Sequence, residues 1–122
     1  MWKYLIVFFG AGVGGGLRYW VSSIAFKLFP IIFPFGTLIV NFIGSFLLGI
    51  FIYGLSDKEL ISSNMRLLLG VGFCGGFTTF STFSLETLNL LKDSQFLFAG
   101  LNIIANVFIS LLGVYFAYII SS

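Results

Sequence analysis

GFCGGFTTFSTFSLE, residues 72–86, is the stretch on which the reading of this chain turns. It lies inside a segment apolar enough to cross a bilayer, yet it holds the adjacent pair Gly75-Gly76, five hydroxyl side chains and one carboxylate. Glycine in a helix interior costs about 1 kcal/mol relative to alanine, so a helix through this segment is expected to weaken at Gly75-Gly76. Thr78, Thr79, Ser81, Thr82 and Ser84 follow at once, interleaved with Phe77, Phe80 and Phe83 at every third position. A span with nothing to do but pack has no use for a weakened backbone and a hydroxyl track at the same depth. The chemistry is expected here.

The surrounding composition says what kind of chain carries this stretch. Of 122 residues, 59% are hydrophobic and 8% charged, and the mean hydropathy is +1.13. Soluble domains carry about 25% charged residues, so this is an integral membrane protein. At roughly 20 residues per spanning helix, the sequence predicts one all-α domain over residues 1–122, with spans at about 2–28, 37–54, 66–91 and 95–120. Cys74 is the single cysteine and cannot form an intrachain disulfide; there is no histidine, the usual side chain for proton shuttling near neutral pH. No cleavable signal is expected, because the first apolar run is too long for a signal core and meets Phe29 and Pro30 where small residues would be needed. Four short helices enclose little volume, so an oligomer is expected, with the functional path at or beside a subunit interface. Nothing points to an enzyme, an ATP site or a nucleic-acid partner.

In the first span Gly10, Gly12 and the run Gly14-Gly15-Gly16 allow close helix approach. Arg18 stands within the same span, with Tyr19 and Trp20 behind it. A guanidinium at membrane depth faces a partner or a water-filled cavity, or snorkels to the interface beside an aromatic belt. Pro30 and Pro34 punctuate the loop that follows. In the second span Thr37, Asn41 and Ser45 fall at i, i+4 and i+8 on one face. Asn41 either bonds a neighbouring helix or offers an amide N–H to a dehydrated ligand. Asn102, Asn106, Ser110 and Gly113 make a similar stripe on the fourth span, read as a packing face. Four spans put both termini on one side, with Lys3, Lys58 and Arg66; Lys27 and Lys92 lie on the other. This charge bias barely selects an orientation, which suits a chain that inserts both ways and pairs with an inverted copy.

If the third helix unwinds near its middle, half-helix N-termini favour anions and freed carbonyls are hard ligands for an alkali cation. Thr78 or Thr79 would cap the second half. There Phe80 and Phe83 share a face, and neutral hydroxyls can donate along an anion path while the positive edge of a phenyl ring faces the ion. Conduction needs weak, repeated sites rather than fixed charges at the narrowest point. Glu86 leaves three readings open: repulsion of anions, a proton-coupled site, or a carboxylate near the wide end of the path that accepts from the hydroxyls.

The runs GVGGGLRYW (12–20), GTLIVNFIGSFLLG (36–49) and GFCGGFTTFSTFSLE (72–86) resemble, in order and spacing, the Fluc (CrcB) family of small fluoride channels, and the length fits throughout. The resemblance implies an antiparallel, dual-topology homodimer in the inner (plasma) membrane, with two fluoride pores. It also implies a structural sodium ion at the dimer centre, held by backbone carbonyls of Gly75 and Thr78. Asn41, Phe80 and Phe83 match pore-lining positions; Ser81, Thr82 and Ser84 match the hydroxyl track, with Thr37 as neighbour. Glu86 matches an acidic residue at one pore end, and Arg18 the vestibule arginine. The fourth span departs most, with Asn102 where an aromatic or hydroxyl side chain is expected in some relatives, so no fluoride role is assigned to that helix.

The expected function is therefore passive export of cytoplasmic fluoride. Two rivals differ in what they need. A dual-topology, proton-coupled exporter of small molecules wants a carboxylate central in the first span, which has neither Asp nor Glu. A non-transporting assembly subunit accounts for the small-residue faces and leaves the hydroxyl track without a purpose.

Overall fold

A computed structural model describes residues 1–29 and 33–122; Pro30, expected to punctuate the first loop, lies outside the described residues. All regular structure among them is helical, and four helices are long and apolar enough to cross a membrane. That outcome follows from the solvent. Hydrocarbon offers no partner for backbone N–H and C=O groups, so each apolar run closes its hydrogen bonds within itself, even in the glycine-rich first span.

The first span is one helix, α1 (Trp2–Leu28). The second is α2 (Phe35–Gly49), continued by a π-helical turn over Ile50–Ser56. The third is built in pieces: α3 (Ser63–Arg66), a π-helical stretch over Leu67–Cys74, α4 (Gly75–Phe77) and α5 (Ser81–Lys92). The Ser62 hydroxyl starts it by accepting the Met65 N–H at 3.2 Å. The fourth is α6 (Phe96–Ser121). Two residues with positive φ, Glu59 (58°) and Ser94 (59°), turn the chain after the second and third spans.

Close approach decides which helices pair. A methyl group on Gly10 would lie 2.6 Å from the Leu68 carbonyl oxygen and 3.1 Å from Gly72 Cα, and one on Gly76 would lie 2.9 Å from Ala11 Cα. The first and third spans therefore run parallel with backbones in contact, as small residues permit. In the same way Gly49 meets Ala117 and Val114 while Gly113 meets Phe42 and Phe46, which sets the second and fourth spans side by side.

The same contacts correct one expectation. Gly75 and Gly76 are both helical, and the backbone leaves the helix only at Thr78, which is extended (φ −85°, ψ 162°), with Thr79 and Phe80 also outside it. At Gly76 the glycine serves the approach of α1. The interruption falls instead where side chains can replace the lost backbone bonds.

Candidate functional site

At Thr79 the second span supplies what the helix gives up. The Thr79 N–H donates to Asn41 Oδ1 at 2.8 Å, and Asn41 Nδ2 donates back to the Thr79 carbonyl at 3.2 Å. The Asn41 amide thus takes both polar groups of one extended residue, like a strand partner. The Thr79 hydroxyl accepts from Thr82 N–H at 3.1 Å and so caps α5, the use expected of a threonine there. On the other side of the interruption both Thr78 N–H (3.0 Å) and the Thr78 hydroxyl (2.9 Å) donate to the Cys74 carbonyl.

These bonds release specific carbonyls. In an unbroken helix Gly75 C=O would accept from Thr79 N–H, and Thr78 C=O from Thr82 N–H. Those donors are committed to Asn41 and to the Thr79 hydroxyl. Gly76 C=O, which would have taken Phe80 N–H, instead accepts from Arg18 Nε at 3.0 Å. One edge of the guanidinium is therefore bonded to a backbone carbonyl of α4, just before the interruption. The rest of Arg18 lines a cavity of about 450 Å³ together with Thr37, Thr82 and Glu86.

A second cavity, about 420 Å³, is lined by Asn41, Ser45, Thr78, Phe80 and Phe83. The Phe80 and Phe83 rings have centroids 5.4 Å apart, tilted by 52°. Phe83 is 8% exposed and seats the pair, whereas Phe80 is 77% exposed and stands out from the chain. The candidate residues therefore divide. Thr37, Thr82, Glu86 and Arg18 gather on one side, and Asn41 gathers with Phe80 and Phe83 on the other.

Ser81 and Ser84 line neither cavity and are exposed. The Ser84 hydroxyl donates to the Phe80 carbonyl at 3.0 Å, and the Ser81 and Thr79 hydroxyls are 3.4 Å apart. Gly75 is exposed as well. One Glu86 carboxylate oxygen is buried without a hydrogen-bond partner among the described residues.

Sequence reasoning missed one group. Asn102 and Asn106, read as a packing face, join Thr87 in a hydrogen-bonded chain that ends on Asn41. Their i, i+4 spacing, and that of Thr87 from Phe83, was the available signal.

The model of the family described as CrcB-like protein, Camphor Resistance (CrcB), matches residues 5–118. A protein of Methylocella silvestris named fluoride-specific ion channel FluC is 39% identical over 120 residues, covering 97% of this chain and 92% of its own length. One of the same name from Pyrococcus abyssi is 43% identical, covering 96% and 94%. Another, from Shewanella sp. strain ANA-3, is 45% identical over 111 residues, covering 91% and 89%. With the match running from the first span to the last and through every piece of the interrupted third, the chain belongs to the CrcB family.

Proposed function

We propose that this protein is a fluoride-selective ion channel of the plasma membrane that lets cytoplasmic fluoride leave passively. The observation that carries the reading is the pairing of Phe80 and Phe83 beside a row of neutral hydroxyls, in a chain whose relatives bear the name fluoride-specific ion channel. Fluoride enters cells as neutral HF and is trapped as the anion in a more alkaline interior, so a passive pore suffices for export.

The permeation steps follow from what each side chain can offer. A small anion surrenders hydration water only where donors replace it. Thr82, with Thr37 close by, presents O–H groups without a fixed charge, and the partly exposed Arg18 guanidinium raises the local anion concentration at their mouth. Further along, the ring edges of Phe80 and Phe83 carry partial positive charge and hold the ion weakly enough to release it. Asn41 reaches the ion by giving up its longer bond, 3.2 Å to the Thr79 carbonyl. Glu86 lines the same cavity as Thr37 and Thr82, and its unpartnered carboxylate oxygen is available to accept from their hydroxyls.

The exposed Phe80, Ser81 and Ser84 supply only part of a wall. The wall is completed by a second, inverted copy, giving an antiparallel homodimer with two pores. Gly75 and Thr78 fit the role of sodium ligands because their carbonyls are neutral, hard oxygens deprived of their helical donors. Two such oxygens per chain are too few for an alkali cation, and two copies double the number. The ion would supply fixed positive charge that balances these carbonyl dipoles.

The test is efflux from liposomes containing the purified protein, with fluoride and chloride followed by ion-selective electrodes. Rapid fluoride release without chloride release is expected. Release that requires a proton gradient would favour the coupled exporter, and no release of either ion would refute transport.

A further inference from the structure

The buried polar chain behind Asn41 has a direction, and the direction can be assigned from its ends. At one end Thr79 N–H can only donate, so the Asn41 atom facing it at 2.8 Å is the oxygen. The Asn41 nitrogen then faces Asn106 at 2.9 Å, and Asn106 must accept through Oδ1. The Asn106 nitrogen is left to donate to the Asn102 backbone carbonyl and to Asn102 Oδ1, both at 2.9 Å. The Asn102 nitrogen donates to Thr87 Oγ1 at 2.9 Å, and the Thr87 hydroxyl hydrogen ends the chain on the Phe83 carbonyl at 2.8 Å. Because both termini are backbone groups, no amide in the series can flip without placing donor against donor or acceptor against acceptor.

We propose that Thr87, Asn102 and Asn106 are positioning residues that hold the Asn41 amide in its working orientation. They form a one-way relay from the Phe83 carbonyl, beneath one ring of the phenylalanine pair, to Thr79 in the interruption. Asn102 is fully buried, and Asn106, which borders the cavity of Asn41 and Phe83, has both of its amide atoms committed to Asn41 and Asn102. A buried amide earns that position only when its hydrogen bonds are made, and here each bond fixes the next. The relay spans α2, α5 and α6 and links Phe83 with Thr79, so a change at Thr87 reaches Asn41 through two intervening side chains. Its bearing on permeation rests on the fluoride-path reading of Asn41; the orientation of the amide does not.

The experiment compares Thr87→Val, which keeps the shape and removes the hydroxyl, with Thr87→Ser, which keeps the hydroxyl. Both are made in the full chain and reconstituted in liposomes. Fluoride efflux is expected to fall about tenfold in Thr87→Val, the loss of one net hydrogen bond, and to recover in Thr87→Ser to within about twofold. Magic-angle-spinning NMR of protein with asparagine side chains labelled with ¹⁵N is expected to show the Asn41 amide signal shifted in Thr87→Val and restored in Thr87→Ser. Asn102→Leu with Thr87→Val should cost little more than either alone, since a chain broken once gains nothing from a second break. Equal losses in the Val and Ser variants, or an Asn41 signal unmoved by Thr87→Val, overturn the relay. Should the wild-type protein release no fluoride, the channel reading fails, and the amide signals still decide the relay.

Discussion

Replacing Gly14 by alanine tests whether backbone contact between the first and third spans holds the fold together. The added methyl would fall on the Phe73 carbonyl oxygen, 2.9 Å from Phe77 N and 3.1 Å from Phe73 C. All three are backbone atoms, so no rotamer change relieves the clash and the two spans must separate. Overpacking of this kind costs typically about 1–3 kcal/mol. The upper end applies, because separation also loosens the contacts at Gly10 and Gly76. Against about 3 kcal/mol stands about 1 kcal/mol gained in helix propensity, leaving a net loss of about 2 kcal/mol. Gly12, on the same helix, has nothing within 4 Å of an added methyl, so Gly12→Ala collects only the propensity gain of about 1 kcal/mol. The two variants should therefore differ by about 3 kcal/mol, more than a hundredfold in the unfolding constant. Reversible unfolding in mixed micelles, titrated with SDS and followed by circular dichroism, measures both. Equal stability of Gly14→Ala and Gly12→Ala would refute helix approach as the organising contact.

Three further outcomes are expected. Phe80→Ile and Phe83→Ile should each abolish fluoride efflux from liposomes while the protein still sediments as a dimer; wild-type efflux in both would reduce the rings to packing. Arg18→Ala should lower stability by about 1–3 kcal/mol, the cost of leaving the Gly76 carbonyl without its donor; SDS titration reads the loss, and an unchanged midpoint would mean that this bond does not hold the interruption. Gly75→Ala has open space for its methyl within one chain, so unfolding of the monomer should be unaffected or slightly harder. Its self-association, measured by single-molecule photobleaching at falling protein-to-lipid ratio, should weaken if a second copy packs there, and unchanged dimerisation would place the interface elsewhere.

The four spans were legible because a bilayer leaves an apolar run almost no alternative to a helix; Trp2–Leu28 reads as a span despite its glycines. The place of the interruption was harder to read. Gly75-Gly76 drew the expectation because glycine is weak in helices, but their neighbours across the bundle decide otherwise: Gly76 is where α1 touches, and a helical backbone there keeps that contact. The helix leaves its path at Thr78–Phe80, where the Thr79 hydroxyl and the Asn41 amide stand ready to replace backbone partners. Asn41 was legible as a polar residue at depth. That its oxygen would meet Thr79 was not, since that pairing joins residues 38 apart in sequence. For the same reason the fourth-span stripe announced a shared face and concealed its hydrogen bonds, which depend on Thr87 of another span.

What one chain leaves unfinished is itself informative. Thr79 and Gly76 are fully provided for by Asn41 and Arg18, so the interruption is a built feature rather than a frayed end. The Gly75 and Thr78 carbonyls nevertheless lose their helical donors, and Gly75, Phe80, Ser81 and Ser84 are exposed at the middle of a span. Hydrocarbon cannot satisfy such carbonyls, and irregular backbone at membrane depth persists only against protein or water. Lipid is therefore the wrong neighbour for this face. The second copy proposed above would answer both needs at once, because it would bring two more carbonyls to the pair and a second Phe80 to the phenylalanine wall. The near-even charge on the two sides of the membrane selects neither orientation strongly, as the proposed inverted pairing requires. The proposed ion path and sodium site then stand or fall with the same contact, which is why Gly75→Ala, with open space for its methyl in a single chain, is the sharpest probe of the proposed assembly.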